Sequence, residues 1–224
     1  MLTCHLSLSF TKCRRADGTQ MTSRNLRSTV RSTMSTDTLR KHGPSNPSNW
    51  VRRFLGGISP GGSVLDVACG GGRHMRLALD MGYTVTGIDR DLSQVEDLAE
   101  RGDVGLIEAD LETGRAFPLK DMRYDGVIVT NYLHRPILAD IIGCVAAHGV
   151  LIYETFGLGH ERHGKPSNPK FLARPNELIA AVLPSLVVVA YEHGQRQGTH
   201  PKIVARIAAC GPEHQWAKDN PVAI

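Results

Sequence analysis

Residues 63–74 constrain the fold of this chain more than any other segment. A short apolar run leads to an acidic residue, Asp66, and then to three consecutive glycines, Gly70, Gly71 and Gly72. The apolar run predicts a parallel β-strand that is covered on both faces. Because glycine has no Cβ, the backbone can turn sharply there and approach a ligand closely. The segment therefore predicts a strand, a tight turn and a helix, with a ligand at the turn.

A second predicted strand, residues 83–88, follows after one helix and ends on Asp89. In nucleotide-binding α/β folds, an acid at the tip of the strand beside the glycine turn binds ribose hydroxyls. We therefore expect a cofactor that contains a nucleoside, bound at the carboxyl ends of the strands.

The helix after the turn argues against a dinucleotide. The sixth residue counted from Gly70 is Met75, where the dinucleotide fingerprint requires glycine or alanine for close packing of helix and strand. An NAD(P)-dependent oxidoreductase is therefore the less favoured interpretation.

This arrangement resembles the first motif of the class I S-adenosyl-L-methionine (SAM)-dependent methyltransferases. Asp66, Gly70 and Gly72 match that motif, and Ala68 stands where many members have another glycine. Over about residues 45–210, the chain resembles in particular a group of small bacterial members that is loosely related to tellurite-resistance-type methyltransferases. The segments that carry this second resemblance are residues 132–136, 153–156 and 164–169.

The resemblance implies SAM as the cofactor and continues beyond the first motif. Asp89 matches the ribose-binding acid of the family, and Asp110 matches the acid near the adenine amino group. Residues 124–131 resemble the fourth strand, whose end faces the transferred methyl group. The cofactor-binding residues predicted in this way are Asp66, Cys69, Gly70, Gly72, Asp89, Arg90, Asp110, Leu111 and Asn131.

Methyl transfer needs alignment of the reactants more than it needs acid–base groups, so candidates lie at the ends of the fourth and fifth strands. The predicted catalytic residues are Asn131, Tyr132, His134 and Glu154. His134 either titrates near neutral pH or caps a helix. Glu154 interrupts an apolar strand, where it either binds the acceptor or forms an ion pair, with Arg135 or Arg162 as its expected partner.

The sequence around Asn131 lacks the Asn-Pro-Pro-aromatic motif with which some nucleic-acid methyltransferases hold an amino group. We therefore favour methylation of a small-molecule or metalloid acceptor. The alternatives are methylation of RNA or protein, and a SAM-binding protein without catalysis. His160 and His163 with Glu161 are weak evidence for a metal, and none is predicted.

The alternation of predicted elements favours an α/β fold, a Rossmann-like three-layer sandwich with a mostly parallel seven-stranded sheet. Residues 192–202 contain no helix between the last two strands, which predicts a C-terminal antiparallel hairpin. Helices are predicted at residues 45–57, 73–81, 92–101, 136–147 and 174–182, and the later strands at 104–109, 124–131, 149–156, 186–191 and 203–209.

Charge divides the chain into parts. Residues 1–41 hold eight basic and two acidic residues, although the net charge of the whole chain is only +4. This stretch resembles a transit peptide or, as we prefer, upstream sequence before a true start at Met34, so residues 1–33 need not belong to the native protein. We expect a disordered tail at 1–41, the methyltransferase domain at 42–212 and a C-terminal tail at 213–224.

The domain that remains after residue 41 is weakly acidic, which makes a nucleic-acid partner unlikely. The chain has no long apolar run that would span a membrane. Its five cysteines form no disulfide or metal pattern, which favours the cytoplasm. We expect a monomer or homodimer that acts on a small-molecule acceptor.

Overall fold

The computed structural model describes residues 46–198 and 201–218. They form a seven-stranded sheet in the order β3-β2-β1-β4-β5-β7-β6. The strands are β1 (Ser63–Val67), β2 (Thr84–Asp89), β3 (Val104–Glu108), β4 (Tyr124–Thr130), β5 (Val145–Phe156), β6 (Val187–Arg196) and β7 (Lys202–Cys210). Strands β1 to β5 pair in parallel, whereas β7 runs antiparallel to both β5 and β6. The predicted α/β sheet with a C-terminal antiparallel hairpin is confirmed.

The helices are α1 (Asn49–Leu55), α2 (Arg73–Asp80), α3 (Leu138–Gly143) and α4 (Glu177–Val182). Successive side chains of the central strands point to opposite faces of the sheet. Val64 and Ile128 pack in one core with α1 and α2, while Leu65 and Val129 pack in the other with α3 and α4. Three layers result, and the carboxyl ends of β1, β2 and β4 open at one edge.

Two predicted helices are wrong in extent. Residues 92–101 form no α-helix but a single 3-10 turn, Glu96–Leu98. The buried residues there, Val95 and Leu98, are three positions apart, a spacing that suits a 3-10 turn as well as one face of an α-helix. The helix predicted at 136–147 is divided into a 3-10 turn, Arg135–Ile137, and α3. Val145 instead begins β5, where it pairs with Tyr124.

The chain after β7 packs against α1. The imidazole Nε2 of His214 lies 2.9 Å from the carbonyl oxygen of Gly57, and the ring of Trp216 meets that of Phe54 edge-on at 6.2 Å. Residues 213–218, part of the segment that the sequence analysis assigned to a tail, thus lie against the domain. Residues 219–224 and the predicted tail at 1–41 lie outside the described residues.

Met75 is accommodated by a glycine on the neighbouring strand. Its side chain is fully buried, and a Cβ added to Gly87 would lie 2.5 Å from its sulfur. In a dinucleotide-binding fold, a small residue on the helix lets helix and strand pack closely. Here the small residue is Gly87 on β2, which leaves room for Met75 on α2. This explains how the glycine turn and the bulky helix residue coexist.

We predict that Gly87→Ala lowers the free energy of unfolding by about 1–3 kcal/mol, because the added methyl overpacks the contact with Met75. Urea denaturation measures the change. The loss for Met75→Ala and Gly87→Ala together should be smaller than the sum of the two single losses, because the shorter side chain leaves room for the added methyl. Gly143→Ala is the matched control, since an added Cβ there has no neighbour within 4 Å, and a loss as large as that of Gly87→Ala would contradict the explanation.

Candidate active site

The turn between β1 and α2 has an unusual backbone. Ala68, Gly70 and Gly72 all have positive φ angles, of 55°, 52° and 68°. A side chain at Gly72 would also place its Cβ 2.5 Å from Cγ1 of Val95. Ala68 adopts the left-handed conformation without being glycine, which is uncommon. The structure thus explains why a glycine suits this position in the family that the motif resembles.

Asp89 fixes the position of this turn. Its Oδ2 accepts a hydrogen bond from the backbone N–H of Gly70 at 2.8 Å, and its Oδ1 accepts one from the N–H of Asp91 at 3.1 Å. The backbone N–H of Cys69 donates to the carbonyl of Ile88 at 3.2 Å. The tip of β2 and the glycine turn are therefore one connected unit at the carboxyl edge of the sheet.

A cavity of about 410 Å³ opens beside this unit. Its size lies in the range of sites for small ligands. Five predicted site residues line it, and the full lining is Ala68, Asp89, Arg90, Ala109, Asp110, Leu111, Glu112, Tyr132 and Phe171. The sequence analysis did not identify Ala109, Glu112 or Phe171. Glu112 could have been found from its position two residues after Asp110, whereas Phe171 comes from a distant loop and carries no local signal.

Asp66 is a buried carboxylate whose oxygens make no well-formed hydrogen bond among the described residues. It is 1% exposed, and neither carboxylate oxygen is paired within the described part of the chain. Burial raises its pKa to about 7 and the nearby charge of Asp89 adds to this, although the positive charge of Arg73 and the nearby backbone N–H of Met75 oppose it. An unpaired buried acid is costly, and a bound cation near it would favour the ionised form.

The side chain of Cys69 is not among those that line the cavity. It is 7% exposed and lies close to the position that a Cβ on Gly87 would occupy. Burial, followed by the charges of Asp66 and Asp89, raises the pKa of its thiol, so the thiol stays protonated. Only the backbone of Cys69 faces the turn.

The residues after β4 differ in their surroundings. Asn131 has a φ of 56°, and its N–H donates to the carbonyl of Glu154 at 2.8 Å. The hydroxyl of Tyr132 is buried without a hydrogen-bond partner among the described residues; burial, then the charges of Glu112 and Asp110, raise its pKa. His134 is half-buried, and its side chain does not cap the 3-10 turn that follows.

Glu154 has different partners from those expected. Its Oε1 accepts a hydrogen bond from the hydroxyl of Ser48 at 3.1 Å, and its Oε2 lies 3.3 Å from Nη1 of Arg206. The expected pairing with Arg135 or Arg162 is wrong. Arg206 comes from β7, opposite Glu154 in the sheet register, and its guanidinium stacks on the ring of Trp50 at 4.6 Å.

His74 was not predicted, and it connects α1 to the glycine turn. It is 1% exposed; its Nε2 accepts a hydrogen bond from the backbone N–H of Ser48 at 3.1 Å, and its Nδ1 lies 3.3 Å from the hydroxyl of Thr130. Burial, then the charges of Arg73 and Arg52, lower its pKa to about 3. A neutral ring with its proton on Nδ1 accepts from the Ser48 N–H and donates to the Thr130 hydroxyl. Because the hydroxyl of Ser48 also donates to Glu154, Ser48 links His74 to Glu154.

The described residues contain no group of three or more potential metal ligands. The ring of His160 stacks on that of Phe156 at 4.3 Å instead. Of the helices in residues 46–198 and 201–218, none has the length and apolar character needed to cross a membrane.

Residues 64–148 match the family model described as a methyltransferase domain. This match contains the glycine turn, Asp89, Asp110 and the end of β4. These residues therefore form a methyltransferase domain. The resemblance found in the sequence is thereby confirmed. No curated protein matches the chain in sequence.

Solved structures share the fold of this methyltransferase domain. TehB from Haemophilus influenzae superposes with a TM-score of 0.57 at 19% identity, over 72% of this chain but only 61% of that chain. The 1,6-didemethyltoxoflavin-N1-methyltransferase from Burkholderia thailandensis gives 0.53 at 17% identity, over 71% and 75%. The glycopeptide N-methyltransferase MtfA gives 0.52 at 18%, over 75% and 91%.

We predict that Asp66→Asn changes how the stability of this methyltransferase domain depends on pH. The folded pKa, about 7, exceeds the ordinary value of 3.8, so the folded state binds the proton more tightly than the unfolded state. This contribution makes the free energy of unfolding fall as pH rises from about 4 to about 7 and then level off. The variant should lack that fall. Its free energy of unfolding, relative to that of wild type, should therefore increase by an amount on the order of a few kcal/mol across this range.

Chemical denaturation at several pH values measures this difference. Asp97→Asn is the control: Asp97 pairs with Arg76 on the surface, and this hydrogen bond lowers the pKa of the carboxyl, so this variant should not remove the fall. Parallel pH profiles for wild type and Asp66→Asn would show that the buried carboxylate has no raised pKa.

We predict that Glu154→Ala lowers the free energy of unfolding by about 1–3 kcal/mol, because it removes the buried acceptor of Ser48 and Arg206, although Arg206 keeps its ion pair with Glu192. The side chains of Glu154 and Arg206 are only 10% and 14% exposed. Asp103→Ala removes an exposed pair with Arg101 and should cost at most about 1 kcal/mol. Equal losses in urea denaturation would contradict the distinction between the two pairs.

Proposed function

We propose that the chain transfers a methyl group from SAM to a small-molecule or metalloid acceptor. The observation that supports this best is the cavity in which the acids at the ends of β2 and β3 meet beside the glycine turn. This is where the family binds its cofactor. The protein would act in the cytoplasm as a monomer or homodimer.

The residues present fit such a cofactor. Asp89 uses its carboxylate for two backbone N–H groups, and a carboxylate has lone pairs for further donors, such as ribose hydroxyls. Asp110 and Leu111 would contact the adenine, with Arg90 beside it. The backbone of Cys69, Gly70 and Gly72 would pass along the amino-acid end, with Asn131 near the methyl group.

Asp66 suits the charge of this cofactor. When bound, SAM supplies a methyl group on a positively charged sulfur, and it also carries an ammonium group. A cation near Asp66 would stabilise the ionised carboxylate that burial otherwise disfavours. An acid that is unpaired within the described structure thus has a reason to be retained at this position.

The remaining work of the protein is positioning. Holding two reactants in line and excluding water can contribute about 7–11 kcal/mol to lowering a barrier. We propose that Asn131 and Tyr132 form the wall beside the transferred group, and that His134 accepts a proton where the acceptor carries one. Glu154 would act indirectly, because both of its carboxylate oxygens already have protein partners.

The solved structures support an acceptor of small size. The Burkholderia thailandensis enzyme was crystallised with 1,6-didemethyltoxoflavin and S-adenosylhomocysteine, and MtfA was also crystallised with S-adenosylhomocysteine. We extend this to the present chain as a proposal, together with the cofactor-binding residues named above.

We predict that isothermal titration of the full chain detects micromolar binding of SAM and S-adenosylhomocysteine but none of NAD(H). Asp89→Ala should weaken this binding at least about tenfold, because it removes charge-assisted hydrogen bonds. Asp103→Ala removes an exposed acid just before β3 and should leave the affinity unchanged. Binding of NAD(H) in place of the sulfur nucleosides would overturn the proposal.

Transfer itself is measured with SAM labelled in its methyl group. Label should appear in small molecules of an acceptor panel and not in RNA or protein of a cell extract. Incorporation into RNA or protein alone would overturn the proposed acceptor class, and binding without transfer to any acceptor would favour a SAM-binding protein that does not catalyse.

A further inference from the structure

Arg135 makes an unusually complete set of contacts for a half-exposed arginine. Its Nε and Nη2 donate to the carboxylate of Glu177 at 2.6 and 2.9 Å. Its Nη1 donates to the carbonyl of Lys170 at 2.6 Å, and Nη2 also donates to the carbonyl of Leu172 at 3.0 Å. The two carbonyls belong to the residues on either side of Phe171, so one guanidinium grips the backbone around that residue.

Phe171 is a cavity wall that comes from outside the sheet. It ends the 3-10 turn Pro169–Phe171, whose start is capped by the side chain of Asn168. The residue is 38% exposed and lines the same cavity as Asp110 and Leu111. A large apolar side chain left partly exposed at the wall of a cavity offers a surface for a ligand.

The loop that carries Phe171 is closed at its base. Gly157 and Ala173 form a parallel bridge, in which Leu158 N–H donates to the carbonyl of Ala173 and Ala173 N–H donates to that of Phe156, both at 2.8 Å. Residues 158–172 therefore leave and rejoin the edge of the sheet at one place. That base fixes the ends of the loop, and Arg135 fixes the part that reaches the cavity.

Glu177 anchors Arg135 from the far side. It is the first residue of α4, and its Oε2 also accepts a hydrogen bond from the N–H of Arg174 at 2.8 Å. The planar fork of an arginine can hold a carboxylate with two bonds and still donate to carbonyls, whereas the single ammonium of lysine cannot match this geometry. Arg135 lies only three residues after Tyr132, another residue of the cavity wall.

We propose that Arg135 is a positioning residue that holds Phe171 against the cavity, where the phenyl ring stacks on the base of the bound cofactor. This inference rests on the proposed function, because it needs a nucleoside in the cavity. The ring shares its cavity with Asp110 and Leu111, the residues assigned to the adenine, which favours the base over the methyl acceptor as the group it contacts. Arg135 itself touches neither reactant.

The test is a double-mutant cycle on S-adenosylhomocysteine binding to the full chain, measured by isothermal titration. Phe171→Ala should raise Kd about tenfold, since loss of one aromatic–base stack typically has an effect of this size. Arg135→Lys keeps the charge but loses the fork, and should raise Kd severalfold. The double variant should bind no more weakly than Phe171→Ala alone, because Arg135 acts only through that ring.

Arg101→Lys is the matched control, since Arg101 makes the same two-bond contact with Asp103 on the surface; its Kd should equal that of wild type. Independent losses in the double variant would show that Arg135 acts through stability or another contact, and would overturn the inference. An unchanged Kd for Phe171→Ala or for Arg135→Lys would overturn it as well. Failure of wild type to bind S-adenosylhomocysteine would overturn the proposed function and this inference with it.

Discussion

The hydrogen bond from the Gly70 N–H to the Asp89 carboxylate is the contact on which the site depends. The glycine turn contains three residues in the left-handed region, one of them Ala68, and such a backbone persists only when its surroundings fix it. Asp89 supplies that constraint from the neighbouring strand. The same carboxylate lines the cavity, so one side chain orders the turn and forms the wall beside it. Fold and site cannot be separated at this point.

Asp66, in contrast to Asp89, costs the fold stability and is explained by the site. Asp89 has backbone partners, whereas Asp66 is buried among groups that leave its oxygens unpaired in the described structure. Asparagine has nearly the same shape as aspartate and would fit the space that Asp66 occupies in β1. A residue that weakens the fold at neutral pH, yet lies one strand from Asp89, is explained by a ligand whose charge it balances. The buried carboxylate therefore lowers stability in the absence of a ligand, and the positive charge of the proposed cofactor would offset that cost.

Local patterns predicted the parts of the site that lie on consecutive residues. The strand, the glycine turn and the acids at 89 and 110 all follow from short segments, and the cavity lies where those segments meet. Contacts between distant segments were not predictable in this way: Glu154 pairs with Arg206 across the sheet register, and Arg135 pairs with Glu177. The helix at 92–101 failed for a related reason, since apolar residues three apart do not distinguish a 3-10 turn from an α-helix.

The two long-range polar contacts have a common design. Ser48 ties α1 to His74 and Glu154, and Arg135, which follows β4, binds the loop after β5 through the carbonyls on either side of Phe171. In both cases a side chain binds the backbone or cap of a segment that lies outside the sheet. The cofactor residues proposed at the sheet edge lie close together in sequence, whereas Phe171 reaches the same cavity from a distant segment that Arg135 holds in place. Acceptor choice would then reside in α1 and in the rest of residues 158–172, where a few hydrogen bonds decide which surface is presented.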